Sequence, residues 1–493
     1  MNAIEEVHPS LGLRLLRLFI LAGLLTALGV LCFNLKYGVL DFDVWWHVKV
    51  GEWIVQHRSF PHTGIFSRTA TGRPWAAYSW GYEVLLSLAY RWFGLLGIAL
   101  FGTLLTLAVA FSVFWMLRQL SGRFFVSCLL ATVTCSAFLF NIRPRPVFFS
   151  MILFCATIAL LLEANRSGRI QLLFWLPPIF FLWSNFHIQF IYGLFVVGLF
   201  VGINVVQRLG AHFGISPAWM LPPTLPSSAL VVMLVCCLLA PCISPYSFHL
   251  YQVVFSYASA KVPYALVSEF QPIDFRSYRN YLQLFLSGAA FFAVGWRKKI
   301  DLVKLSLLVA CTAVAFRTGR DAWFICIPAA ACIAEATAYR AKRDYRESLA
   351  EIAAVAAVVA LSLTLLAPAV EFDTAGIDRT IRRNFPVNAV NFILKNRLPG
   401  PLYNTFDWGG FLIFYLPEYP VAIDGRTDLY GDEMDERFAM TARGIPSYVD
   451  DPYLNESRVI LLQQDNILVK FLVTDPRFEL IYQDELAAVF RRR

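Results

Sequence analysis

The chain reads as a polytopic α-helical membrane protein with a small α/β domain at its C-terminal end. Three observations predict this. Hydrophobic residues make up 58% of the 493 residues and charged residues only 15%, with a mean hydropathy of +0.58, far from the balance of a soluble protein. Apolar runs approaching the twenty or so residues that cross a bilayer recur along the chain. Beyond residue 370 those runs shorten and charge becomes dense, with 14 Lys/Arg against 19 Asp/Glu, a net of about −5.

Eleven runs are expected to span. They centre on residues 15–33, 94–117, 123–141, 146–163, 169–184, 186–207, 227–243, 280–296, 302–316, 320–339 and 351–369. The first is too long for a signal-peptide core and lacks a small-residue cleavage site, so it reads as retained. Segment 80–92 reads as a short interfacial helix or a partial span. The domains are accordingly 1–370, holding the spans and a first external loop at 34–92, and 371–493.

Basic residues set the orientation. Arg118 and Arg123, Arg166 and Arg169, Arg297 to Lys304, and Arg340 to Arg346 fall in alternate connections. Those connections read as cytoplasmic, which puts the other connections and the C-terminal domain outside. In a bacterium this is the inner membrane with a periplasmic domain. The ten cysteines, Cys32 to Cys332, lie in or beside apolar runs. They read as small core residues, with no disulfide framework.

Within the C-terminal domain, Pro386 to Arg397 and Asp432 to Arg443 read as helices. Leu402-Tyr403 and Val421 to Ile423 read as short strands, and Phe478–Tyr482 with Ala487–Phe490 as a closing hairpin.

The orientation gathers the chemically capable residues on the outward side. Asp41-Phe42-Asp43 follows the first span and leads into Trp45-Trp46-His47. Acids at a membrane boundary are costly unless they face water, a partner or a substrate. One carboxylate can serve as a general base while the second supports it, or both can hold a divalent metal, Mg or Mn. The same residues would also serve as N-caps for a helix over Val44 to Gln56. Arg143-Pro144-Arg145-Pro146 offers two guanidiniums for a phosphate or for lipid headgroups, and Arg317 and Arg320 have the same two readings. His187 and Gln189, in Asn185 to Gln189, break two apolar runs, and a polar break at this depth lines a cavity or packs in protein. Val267 to Pro272 carries Glu269. Asn404 to Gly410 carries Asp407 and Trp408, with Gly409 and Gly410 serving backbone geometry.

In this order the pieces resemble the GT-C superfamily of membrane glycosyltransferases. Ser268-Glu269-Phe270-Gln271-Pro272 looks like the SVSEHQP loop of the oligosaccharyltransferase catalytic subunit, with Phe270 where His is usual. Thr405-Phe406-Asp407-Trp408-Gly409 looks like its WWDYG motif, with Thr405 and Phe406 for the two Trp and Trp408 for Tyr. The acidic motif expected after the third span is replaced by Arg143 and Arg145. The run from Asp41 to His47, with Pro74-Trp75, Trp80, Glu83 and Asp424-Gly425-Arg426, also resembles a broad group of bacterial multi-span proteins.

The resemblance implies transfer of a sugar, with inversion, from a polyprenyl-phosphate-type lipid donor to an acceptor at the external face. It casts Asp41 as base, Asp43 as its support and Arg143, Arg145, Arg317 and Arg320 as the phosphate site. His47, Glu83, His187, Gln189, Glu269, Asp407 and Trp408 fall to the acceptor or the rest of the substrate. Membrane lipids are expected partners and nucleic acid is not. The competing expectations are a transporter of lipid-linked cargo and a non-catalytic assembly subunit. The chain lacks the paired half-helices or inverted repeats of a transporter.

Overall fold

A computed structural model describes residues 10–139, 143–266, 268–340, 348–366 and 374–493. Val267, the basic residues Lys342, Arg343 and Arg346, and the expected domain boundary near residue 370 lie outside the described residues.

A helix stands at each of the eleven apolar runs. They are α1 (Leu11–Asn34), α4 (Trp80–Ser121), α5 (Phe124–Phe138), α6 (Val147–Ser167), α7 (Leu176–Phe186), α8 (Phe190–His212), α9 (Ser227–Leu239), α12 (Tyr278–Gly295), α13 (Leu302–Arg317), α14 (Trp323–Arg340) and α15 (Leu349–Leu366). Among the described residues five segments have the length and apolarity to cross a membrane: Leu11–Leu40, Trp80–Ser121, Val147–Ser167, Phe190–His212 and Gly319–Ala338. Phe124–Phe138, Ile170–Phe186, Ser227–Ile243 and Leu349–Leu365 are apolar but shorter, and α12 and α13 make up the eleven.

The ends of these helices follow from local sequence. Ser10 caps α1 by accepting the Leu13 N–H, and Asp301 caps α13 by accepting from Val303 and Lys304. Gly122 and Gly168 end α4 and α6 in the left-handed conformation. Segment 80–92 is the first stretch of α4, set off by Gly94, whose φ of 59° and ψ of −142° interrupt the helix. All ten cysteines are free.

The first loop holds α2 (Tyr37–Leu40) and α3 (Val44–His57). Helix α3 crosses α4 closely because Gly51 has no Cβ to strike the Glu83 carbonyl. Between α9 and α12 the chain forms α10 (His249–Ser259) and α11 (Val262–Leu266).

The C-terminal region runs α16 (Thr374–Asn384), α17 (Val387–Lys395), β1 (Leu402–Asn404), α18 (Gly409–Tyr415), α19 (Thr427–Ala442), α20 (Pro452–Glu456), β2 (Val459–Gln463), α21 (Ile467–Thr474), β3 (Phe478–Gln483) and β4 (Ala487–Arg492). The strands form one sheet in the order β1-β2-β4-β3. Strand β1 runs parallel to β2 with Tyr403 opposite Ile460, and a parallel pair needs the long helical connection found between them. The expected hairpin is β3–β4, and β2 pairs with β4 antiparallel, Ile460 opposite Phe490.

One expected strand is absent. Among the described residues Val421 to Ile423 joins no strand: Val421 makes an isolated bridge to Ser67, and the Ala422 N–H donates to Asn404 Oδ1 at 2.8 Å. Its hydrogen-bonding edge is spent on side chains and the first loop, so it cannot extend the sheet. This segment therefore fastens the domain to the first loop. Arg68 reinforces the joint by donating to the Leu402 and Tyr453 carbonyls.

Candidate functional site

The Asp41–Asp43 turn is built from its own hydrogen bonds. Asp41 is fully buried. Its Oδ1 accepts the Asp43 backbone N–H at 2.7 Å, and its Oδ2 accepts from Arg145 Nε. Asp43 occupies the N-cap position of α3, but its side chain makes no capping hydrogen bond. Instead Oδ1 accepts from Trp46 Nε1 at 3.1 Å, and Oδ2 lies 3.3 Å from Arg145 Nη2. The expectation that the pair caps α3 with its side chains gives way to this arrangement.

Arg145 links three carboxylates. Besides Asp41 and Asp43, its Nη1 donates to Glu269 at 3.2 Å. Arg320 Nη1 lies 3.4 Å from the same Glu269 and its guanidinium sits over the Phe270 ring. Glu269 and Arg320 stand on two short 3-10 turns, Ser268–Phe270 and Gly319–Asp321. The Gly319 N–H donates to the Gln271 carbonyl at 2.9 Å and holds those turns together.

The C-terminal domain closes the site from the other side. Gly410 presses α18 onto the first loop: a Cβ there would overlap the Phe42 carbonyl oxygen. A Cβ on Gly425 would overlap Asp43 Oδ1. Arg426 makes a two-pronged pair with Asp424, both contacts at 2.7 Å, and lies over the rings of Trp46 and Trp75.

These elements enclose a cavity of about 360 Å³. Of the residues singled out in the sequence, Asp43, His47, Arg145, His187, Glu269, Arg320 and Asp407 line it. Asp41 and Glu83 stand behind the wall; Glu83 Oε1 is 3.1 Å from His47 Nδ1. Gln189 donates to Asp321 at 3.2 Å, and Trp408 is buried at the start of α18. Arg143 lies over Phe42 and Arg317 over Tyr264, so neither joins the lining. Tyr78, Tyr257, Arg426 and Asp428 line the cavity without having been singled out as site residues. The Asp424-Gly425-Arg426 string was a visible signal for Arg426 and its near neighbour Asp428, whereas nothing local marks the two tyrosines.

The electrostatics follow from this packing. Burial pushes Asp43 up to about 6, with Arg145 opposing the rise and Asp41 adding to it. Burial alone would also raise Glu269, but Arg145 and Arg320 outweigh it and hold the carboxyl below its usual range. Burial, then the charge of Arg145, keeps His47 well below the usual histidine range, so it is neutral near pH 7.

The Asp41–Asp43 pair does not fit a divalent cation as arranged. A cation would need the carboxylate oxygens that Arg145 engages, and among the described residues no group of three or more His, Cys, Asp or Glu is placed to hold a metal. The positive charge between these acids is the guanidinium.

The fold defines a multi-pass helical membrane protein whose small α/β domain docks on the first loop and covers a charged cavity. No family model matches the chain and no curated protein sequence matches it. Among solved structures it is similar to ArnT from Cupriavidus metallidurans in the apo state, at 13% identity, with 95% of this chain and 97% of that chain covered and a TM-score of 0.46. The crystal structure of the same protein bound to undecaprenyl phosphate gives 13% identity, the same coverage and a TM-score of 0.42. At that level the likeness carries no argument about chemistry.

Proposed function

We propose that this chain is a glycosyltransferase that moves a sugar from a polyprenyl-phosphate-type donor to an acceptor at the external face of the membrane, with inversion. The observation that carries the reading is one cavity in which a carboxylate with a near-neutral pKa, Asp43, sits with three guanidiniums, those of Arg145, Arg320 and Arg426, the last already paired with Asp424.

The roles follow from position. Asp43 takes the proton from the acceptor O–H or N–H as that atom attacks C1 of the sugar. The C1–O bond to phosphate breaks on the opposite face, and its electron pair leaves with the lipid phosphate. Arg320, whose Nη1 alone among its donors is hydrogen-bonded to a partner among the described residues, Glu269, is the cation best placed to receive that phosphate. Arg145 orients Asp43 and balances its charge. Asp41 is a positioning residue, because it touches Asp43 and Arg145 rather than the cavity. Arg143 and Arg317 hold the mouth of the site or lipid headgroups. The alternating basic connections support an external site.

The test uses the purified full chain in detergent, a polyprenyl-phosphate sugar labelled in the sugar, and a membrane extract as acceptor source. Label leaving the lipid for a new product, with free lipid phosphate released, is the expected result. Donor binding with no release would point to a carrier, and no donor binding at all would sink the reading.

A further inference from the structure

A second cavity, of about 410 Å³, lies between the C-terminal domain and Val262 of α11. It shares Phe406, Asp407 and Thr427 with the first, so the two adjoin across the turn after β1 and the start of α19. The mechanism above uses none of its own lining.

Two groups facing this cavity lack partners. Asp435 is 8% exposed, and neither of its carboxylate oxygens has a hydrogen-bond partner among the described residues. Thr405 is 9% exposed and its Oγ1 is unpaired in the same way. Leaving a buried polar group unpaired is costly, and more so for a charge. At a cavity wall, a ligand that supplies the missing donors removes that cost.

The charge of the wall selects the ligand. Asp407 and Asp435 line it, and among the described residues no Lys, Arg or His does. Asp432, Asp428 and Asp424 add negative potential at Asp435. Tyr403 and Phe438, stacked with centroids 5.3 Å apart, and Phe406 supply aromatic surface, which also favours a cation. A phosphate or carboxylate would be repelled.

We propose that this cavity is the acceptor subsite and that it takes an amine on the acceptor, which receives the Asp435 proton, is held as an ammonium–carboxylate pair and is hydrogen-bonded to Thr405. The acceptor assignment rests on the transferase reading; the amine site does not.

The experiment titrates the purified full chain with glucosamine, N-acetylglucosamine and glucose, one ring with its amine charged, capped or absent. Glucosamine should bind at least tenfold more tightly than the other two. That advantage should vanish in Asp435→Asn and in Ala439→Leu, which fills the cavity one helical turn away, and persist in Asp43→Asn. Equal binding of the three sugars, or an advantage that survives in a folded Asp435→Asn protein or in Ala439→Leu, overturns the site. In the transfer assay, glucosamine should raise the apparent KM for acceptor and leave that for donor unchanged. Absence of competition with binding intact overturns the acceptor role alone. A wild-type chain that selects the amine but transfers no sugar overturns the transferase reading and the acceptor role together, and leaves the amine site standing.

Discussion

Asp41 Oδ1 accepts the backbone N–H of Asp43 at 2.7 Å. The first acid of the motif thereby fixes the backbone that presents the second. Its other oxygen anchors Arg145, which in turn balances Asp43. The two acids of one short string have different work: one is buried and structural, the other faces the cavity.

This division predicts different losses. Asp43→Asn keeps shape and removes the base, so transfer should fall by at least about 10²-fold with an unchanged thermal transition. Asp41→Asn weakens a buried, charge-assisted network, so it should lower transfer and stability together, the latter by roughly 1–3 kcal/mol. Calorimetry and single-turnover transfer on both variants check this. The roles are reversed if Asp43→Asn is near normal and Asp41→Asn is inactive but fully stable.

The pH dependence follows from the raised pKa of Asp43. Its base form accumulates as pH rises through about 6, so transfer should climb between pH 5 and 7 and then level. Removing Arg145 removes the opposing charge, which raises that pKa further. Arg145→Ala should therefore shift the acid limb upward, whereas Arg145→Lys keeps the charge, loses the fork and shifts it less. A profile flat from pH 5 to 8 would exclude Asp43 as the base.

Two glycines separate function from folding. Alanine at Gly425 meets only the movable end of Asp43, so the carboxylate swings aside. Transfer should drop at least about tenfold while the fold survives with little loss, because a side-chain end moves at small cost. Alanine at Gly409 meets the Ile423 carbonyl and the Asp424 backbone. That overpacking should cost roughly 1–3 kcal/mol of stability. Thermal melts beside transfer rates test the contrast, which fails if the two variants behave alike.

Asp435 predicts a pH-dependent stability. Burial, then Asp432, Asp428 and Asp424, push it up to about 8, above its unfolded value. The folded state therefore holds the proton more tightly, and stability falls as pH rises from about 4 to about 8. Asp435→Asn removes this penalty. It should match wild type near pH 4 and exceed it by about 1 kcal/mol or more at pH 8. Identical melting curves at both pH values would show that the carboxyl is not held in this way.

The helices were legible in the sequence because apolar runs must be helical in a membrane, where every backbone polar group is satisfied within its own segment. The hairpin β3–β4 was legible from its alternation and short turn. Val421 to Ile423 was misread, because an apolar triplet does not say whether its edge meets a strand or, as here, Ser67 and Asn404. Strand β2 went unmarked for the complementary reason: its apolar run is short, and its identity depends on the parallel partner β1 some 55 residues earlier in the chain.

That this is a multi-pass membrane chain is written in its composition, which also points to the acids and arginines that converge at one cavity. Composition and residue type carry that much, since the bilayer tolerates charge only where it has a use. Which acid faces the cavity, which arginines reach it and that Arg145 bridges the carboxylates emerge from the folded arrangement alone. Those facts depend on contacts between residues some hundred positions apart, Asp41 with Arg145 and Arg145 with Glu269, and on glycines that let α18 and the Asp424–Arg426 turn close on the first loop. Close approach of backbones is a property of packing, and no local pattern in the chain encodes it.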